Sequence, residues 1–379
     1  MQTYRKILLA TMSFDIGGVE THVLELATGL KKCGLVPIVV SNGGVYVKEL
    51  NKRGITHITV PLNDKNPKHM LDSYLLLRKI IRREKVDIVH AHARIPAFIL
   101  GILQKKEYFP LVTSVHALFN TMALYKLNSN WGDYSIAVSD DLKKYLVKYY
   151  KINPRNIMVT VNGISPDTFN KNVKTKDIIT KYKIDKTKIV IGHISRLDKE
   201  RSLVAEQLVN IAKSLYKVKP NTQIVIVGDG TEYSKIKNKA DKINQALGKK
   251  YIVMVGSSIE VNKFVAVSDI FVGVSRAALE AMCAKRPTIV AGNEGYIGIF
   301  DKSKLSSAKK SNFTCRGERN SDEDVLKDDI VTLIESTEQE LVELGEYSHE
   351  IVKKYYSVEK MTQDNIKLYD RVWRKKLEL

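Results

Sequence analysis

The chain has 379 residues, 44% of them hydrophobic and 27% charged, an ordinary globular mix long enough for two or three domains. Its three cysteines, Cys33, Cys283 and Cys315, are odd in number, far apart and without metal-like spacing, which argues against a disulfide framework or zinc site and for a reducing, cytoplasmic setting. The net charge of +19 is spread along the chain, +10 over residues 1–170 and +9 over 171–379; it favours phosphates, anionic lipid surfaces or nucleic acid without choosing among them.

Lys6–Met12 reads as a first strand rather than a signal peptide, since its apolar run is brief and no small-residue cleavage site follows. A glycine-containing loop and an amphipathic helix, Glu20–Lys32, come next. Val36–Ser41, Thr56–Val60, Ile88–Ala91, Leu111–Val115 and Ser135–Val138 read as further strands, with helices at Tyr46–Arg53 and Leu71–Glu84. This is the strand–helix rhythm of a doubly wound parallel sheet. It restarts at Ile189–Ile194 and continues through Val204–Tyr216, Gln223–Gly228, Glu232–Leu247, Tyr251–Val255, Ile270–Val274 and Thr288–Ala291. The polar stretch from Asn162 to about Lys188 separates the two series and places a domain boundary. Lys302–Asp329 reads as exposed irregular loop, and Val358–Leu377 as a final amphipathic helix. No apolar run approaches the ~20 residues of a membrane span.

Four turns could carry chemistry. Gly17-Gly18-Val19-Glu20 lies between a strand and a helix, where backbone amides can approach an anion; a tight turn with an acid in the first helical turn accounts for it equally well. Ser195-Arg196-Leu197-Asp198-Lys199-Glu200-Arg201 puts three cations at a strand's carboxyl end, where open α/β sheets bind ligands; a solvated basic loop is the plain alternative. Gly228-Asp229-Gly230 is explained by a strand-end turn alone. In Gly273-Val274-Ser275-Arg276, ahead of Leu279-Glu280-Ala281-Met282, a strand breaks into a helix near Ser275, a good N-cap type. Glu280 then lies on a solvated face or in a cleft, where it could accept from ribose hydroxyls.

Other features favour plain readings. His90 and His92 share a strand face, but no third metal ligand follows at a suitable spacing. Asp140-Asp141 read as helix-start acids. Trp131, Tyr145, Tyr149 and Tyr150 among lysines lack any accompanying nucleic-acid motif.

Together, in order and spacing over nearly the whole chain, these motifs resemble family 4 of the retaining glycosyltransferases. Val115-His116, Ala137-Val138-Ser139, Asn162-Gly163-Ile164, Pro287-Thr288-Ile289-Val290-Ala291 and Tyr356-Ser357-Val358-Glu359-Lys360 add to the match. The resemblance implies the GT-B fold, an α/β architecture of two Rossmann-like doubly wound domains facing across a cleft. The expected domains are residues 1–170 for the acceptor, 171–355 for the nucleotide sugar, and 356–379 as a helix crossing back. It further implies that Arg196 and Arg201 hold the donor diphosphate, with Arg201 standing where the family has lysine, and that Glu280 holds the ribose. His116 would lie near the donor sugar, and Gly17 and Gly18 beside the diphosphate and acceptor. Lys199, Gly228, Ser275 and Arg276 complete the expected donor-binding set. The family's first motif glutamate falls on Val272, which cannot accept a sugar hydroxyl; Ser275 or Arg276 is the candidate replacement.

The expected reaction moves a sugar from a nucleotide-diphosphate donor, UDP-linked by analogy, to a glycan, lipid-linked or cell-envelope acceptor. No metal and no cofactor beyond the donor are expected, and no nucleic-acid partner. A nucleotide-sugar epimerase of the same fold and a non-catalytic sugar- or nucleotide-binding relative are the alternatives. Arg78, Lys79, Arg82, Arg83 and Lys85 at the end of the Leu71–Lys85 helix raise peripheral binding to an anionic membrane surface. Cations near a helix C-terminus explain them without one.

Overall fold

The computed structural model of the protein describes residues 4–118 and 129–378. The chain forms two compact units, residues 1–163 with 358–379, and residues 164–357. The crossings at Gly163–Ile164 and Ser357–Val358 lie seven residues before and two residues after the expected boundaries at 170 and 355.

The first unit is built on seven parallel strands: β1 (Lys6–Ala10), β2 (Val36–Ser41), β3 (Thr56–Thr59), β4 (Ile88–Ala91), β5 (Leu111–Val115), β6 (Tyr134–Ala137) and β7 (Ile157–Val159). Their order is β3-β2-β1-β4-β5-β6-β7. Every residue of β4, β5 and β6 is buried, as expected where helices cover both faces of a parallel sheet. On one face Val23, Leu26 and Leu30 of the helix Gly18–Lys32 join Met361, Leu368 and Tyr369 of Val358–Leu377. These two helices touch because residue 29 is glycine: a Cβ there would lie 2.0 Å from Thr362 Oγ1. On the other face Leu77 and Ile81 of Pro67–Glu84 pack with Leu100 and Leu103 of Arg94–Glu107. Asn66 caps the former, accepting from the Lys68 N–H at 3.0 Å, and Pro67 supplies the preset φ at the first helical position.

The second unit carries six strands, β8 (Ile189–Ile194), β9 (Thr222–Val227), β10 (Ile252–Met254), β11 (Ile270–Gly273), β12 (Thr288–Gly292) and β13 (Gly295–Ile299), in the order β10-β9-β8-β11-β12-β13. Its core includes Val204, Leu208, Ile211 and Leu215 of the helix Leu203–Val218, packed with Ile224, Ile226 and Val272 of the sheet.

The structure departs from the sequence reading in several places. The three-residue β7 and the edge strand β13 were not anticipated, and β13 pairs antiparallel to β12 through the Asn293–Glu294 turn. Both are too short or too glycine-rich to show a strand pattern. Lys302–Asp329 is not an exposed loop. It holds a 3₁₀ turn at Lys302–Lys304, a helix at Leu305–Lys310 and the first half of the helix Glu323–Glu335. Phe313 and Cys315 within it are fully buried, Phe313 against Phe300 and Tyr356. Two isolated apolar residues in a polar run are invisible to periodicity yet suffice to anchor it. Among the described residues no disulfide forms, and no helix is long and apolar enough to cross a membrane.

Candidate functional site

In each sheet the winding direction reverses once, between β1 and β4 in the first unit and between β8 and β11 in the second. Loops leaving such a pair diverge and open a crevice at the strands' carboxyl ends, where open α/β sheets bind ligands.

In the second unit the loop after β8 carries Arg196, Lys199 and Arg201. β11 lies beside β8, with Val272 opposite His193, so its exit at Val274–Ser275 adjoins that loop. Arg196 and Lys199 are exposed and form no ion pair among the described residues. Arg201 meets Asp198 at 3.4 Å. The Gly228–Gly230 turn holds the loop from beneath. Leu197 N–H donates to the Asp229 carbonyl at 3.0 Å, and Glu232 N–H to the Leu197 carbonyl at 2.7 Å. Gly228 and Gly230 have φ of +147° and +154°, and a Cβ on Gly228 would lie 1.8 Å from the Ser195 carbonyl oxygen. Gly228 therefore has a packing reason to be glycine, whatever else it contacts.

The helix after β11 begins at Ser275, not after it. Val274 is the N-cap residue, and Ser275 is the first helical position, with φ +52°, held by its N–H donating to the Phe313 carbonyl at 2.7 Å. Left-handed backbone in a serine is uncommon and costs energy. Arg276 follows in the same first turn, where the helix dipole disfavours a cation. Arg276 and Glu280 are both nine-tenths or more buried, and Arg276 Nε lies 2.8 Å from Glu280 Oε1. Two local rules are thus broken side by side, a signature of functional sites. Val272 is fully buried in the hydrophobic core, so the family spacing lands inside β11 rather than in a loop. Here strand and helix are joined directly, which leaves Ser275 and Arg276 at the strand's exit.

His193 was not singled out from the sequence. It is 2% exposed, donates from Nδ1 to the Val272 carbonyl at 2.8 Å and accepts from Ser195 Oγ at Nε2, also 2.8 Å. Burial lowers its pKa to about 4, against the smaller raising effect of the Val272 carbonyl. It is a neutral tie between the β8 loop and β11.

In the first unit the crevice adjoins the Gly17–Gly18 turn. Phe14 N–H donates to the Gly43 carbonyl at 2.7 Å and Tyr46 N–H to the Phe14 carbonyl at 2.9 Å, anchoring the approach to the turn. A Cβ on Gly18 would meet nothing within 4 Å, so packing within the chain does not require this glycine. His92, just past β4, and His116, just past β5, come together with His22 of the first helix. The His22 and His116 ring centroids are 4.7 Å apart, those of His92 and His116 5.8 Å, and those of His22 and His92 5.5 Å. His90 lies under His92, with centroids 4.0 Å apart, and is held by Tyr369 at 2.7 Å and Ser114 at 2.8 Å. Burial, with the nearby His116 as the lesser cause, depresses His90 to about 3. Spacing along the chain shows no third ligand beside His90 and His92, because His22 and His116 lie far from them in sequence.

Asp140 opens the helix Asp140–Tyr150 behind Ser139 at the N-cap position. The Trp131 and Tyr150 rings, 4.7 Å apart, pack with Tyr145 against the core formed by Leu142 and Leu146. These acids and aromatics have structural work of their own.

Comparison with known proteins matches residues 16–168 to the family described as Glycosyltransferase Family 4 and residues 174–350 to Glycosyl transferases group 1. An uncharacterized glycosyltransferase of Methanocaldococcus jannaschii is 25% identical over 97% of this chain and 98% of its own length. The alpha-monoglucosyldiacylglycerol synthase of Acholeplasma laidlawii is 24% identical over 76% of this chain and 78% of its own. Among solved structures, a glycosyltransferase from Rickettsia africae superposes with a TM-score of 0.77 at 24% identity, covering 98% of this chain and 99% of that one. Anabaena HepE in complex with UDP and glucose does so with a TM-score of 0.74 at 16% identity, over 97% and 100%.

Proposed function

The chain belongs to family 4 of the glycosyltransferases and has the GT-B fold, and from that premise we propose a retaining transfer of a sugar from a UDP-linked donor to a lipid-linked or glycan acceptor. The observation that carries the donor side is the switch point of the second sheet. There Arg196 and Lys199, in no ion pair among the described residues, adjoin the strand exit at Ser275 and Arg276. In the proposal Arg196, Lys199 and Arg201 hold the diphosphate, and Glu280, fixed by Arg276, accepts from the ribose hydroxyls. HepE holds UDP and glucose, which supports this class of donor. The A. laidlawii enzyme is named for a glycosylated diacylglycerol, which supports a lipid-linked acceptor.

The proposed step needs no protein base. The acceptor hydroxyl oxygen bonds to the sugar's anomeric carbon on the face from which the diphosphate departs. The bond between that carbon and the phosphate oxygen breaks, and the hydroxyl proton passes to the leaving oxygen. The protein contributes position and charge stabilisation. Arg196 and Arg201 face the charge that grows on the diphosphate.

A thermal-shift screen of nucleotides and nucleotide sugars, followed by transfer assays with lipid-linked and glycan acceptors, tests the reading. Donor-dependent stabilisation and a product that keeps the donor's anomeric configuration are expected. An inverted product, or an isomerised nucleotide sugar formed without acceptor, overturns it.

A further inference from the structure

We propose that His22, His92 and His116 form a three-imidazole binding site for a divalent transition-metal ion, with Zn²⁺ and Co²⁺ the chemistry that fits. One ring nitrogen from each lies within 4.8 Å of the other two. The ligands come from three separate elements. His22 is on the helix Gly18–Lys32, His92 directly follows β4 and His116 directly follows β5, so each is set on a rigid part of the fold.

His92 provides the independent observation. It is 2% exposed, and among the described residues neither of its ring nitrogens has a hydrogen-bond partner. A neutral imidazole carries one N–H and one lone pair, and burying both unmet is costly. Its neighbour His90 shows the contrast, with both nitrogens engaged by Tyr369 and Ser114. His90 is therefore outside the triad and supports the His92 ring from below. A cation among the three rings would take up the lone pair that the protein leaves unused.

The donor set selects the metal. Three nitrogens with no carboxylate suit zinc, cobalt, nickel or copper and not magnesium or calcium. Zinc–nitrogen bonds of ~2.0–2.1 Å place tetrahedral ligands roughly 3.4 Å apart, which ring rotations of about an ångström reach from the present spacing. Three protein ligands leave a fourth position, as in zinc sites that accept water or substrate oxygen. The site lies at the carboxyl ends of β4 and β5, at and beside the switch point of this sheet, so the oxygen of a bound substrate is the natural fourth ligand.

The test uses the full, untagged chain stripped by a chelator. Equilibrium dialysis against Zn²⁺ should show one equivalent per chain, and Co²⁺ should give the intense visible bands of four-coordination. His92→Ala and His22→Gln should each remove the equivalent and the bands. Cys33→Ser and His69→Gln should keep both, since the exposed Cys33 and the half-buried His69 are alternative ligands outside the triad. Circular dichroism establishes that each variant is folded, and either triad variant suffices if the other fails. No uptake by the wild-type chain overturns the proposal. So does uptake that survives in a folded triad variant or disappears with Cys33→Ser.

Discussion

Arg276 Nε lies 2.8 Å from Glu280 Oε1, one helical turn along, with the two side chains 11% and 6% exposed. An ion pair this deep contributes little net stability when whole, yet breaking it leaves an uncompensated buried charge. Glu280→Ala should therefore cost about 3–5 kcal/mol in denaturant unfolding. Arg276→Met combined with Glu280→Leu should recover most of that loss. Nucleotide affinity by calorimetry should stay low in the double variant, because the ribose acceptor is gone. Recovered affinity in the double variant would remove Glu280 from the donor site.

Arg196 and Arg201 separate turnover from stability. Arg196 is exposed and unpaired among the described residues, and the Arg201–Asp198 contact is a surface pair, worth roughly 0–1 kcal/mol. Arg196→Ala and Arg201→Ala should leave the melting temperature nearly unchanged. Each should lower kcat by roughly 10²–10³, the usual loss for one donor to a developing negative charge. Full turnover in both variants would show that the diphosphate binds elsewhere.

Gly228→Ala tests the platform under that loop. The new methyl would meet the Ser195 carbonyl oxygen at 1.8 Å, in a backbone conformation that L-residues rarely adopt. About 1–3 kcal/mol of destabilisation is expected from the forced shift. Donor affinity should fall with it, because the displaced segment carries Arg196. A variant with wild-type stability and affinity contradicts the packing account.

His193 gives stability a pH dependence. Its folded pKa is about 4, below the ~6.5 of an unfolded histidine. The unfolded chain therefore binds the extra proton first as pH falls. The contribution is complete above about pH 6.5 and is lost progressively toward pH 4, at about 1.4 kcal/mol per pH unit. His193→Asn keeps a donor for the Val272 carbonyl but does not titrate. Unfolding free energies measured from pH 7 to 4.5 should fall less steeply in that variant than in the wild type. Equal slopes would mean that His193 takes up its proton as readily in the folded chain as in the unfolded one.

Membrane binding is expected to depend on leucines more than on arginines. Arg78 and Arg82 both place Nε 2.7 Å from the Glu107 carboxylate, which spends part of the basic cluster within the fold. Leu71, Leu75 and Leu76 on the same helix are exposed, and Lys79 remains beside them. Flotation with anionic vesicles at low salt should carry the protein, and neutral vesicles should not. Leu71→Ser with Leu75→Ser should weaken this more than Arg78→Gln with Arg82→Gln. Wild-type protein that ignores anionic vesicles ends the membrane reading and turns attention to a soluble acceptor.

Local pattern determined much of this protein. The alternation of short apolar runs with amphipathic stretches, its restart at Ile189, and the motif order leading to the family were all legible, because strand and helix periodicities are properties of neighbouring residues. The helix Val358–Leu377 could be read as amphipathic for the same reason. Only the tertiary structure decided which loops are neighbours. Pairing β11 beside β8 sets the exit at Ser275 next to the Arg196 loop across some eighty residues of chain, and the β1–β4–β5 order brings His22, His92 and His116 together. It also decided that Val272 faces the core, that Arg276 is buried against Glu280, and that Phe313 anchors a run that looked like loop. Each of these depends on contacts between segments distant in sequence, whose energies come from burial and close packing and leave no period in the chain to read.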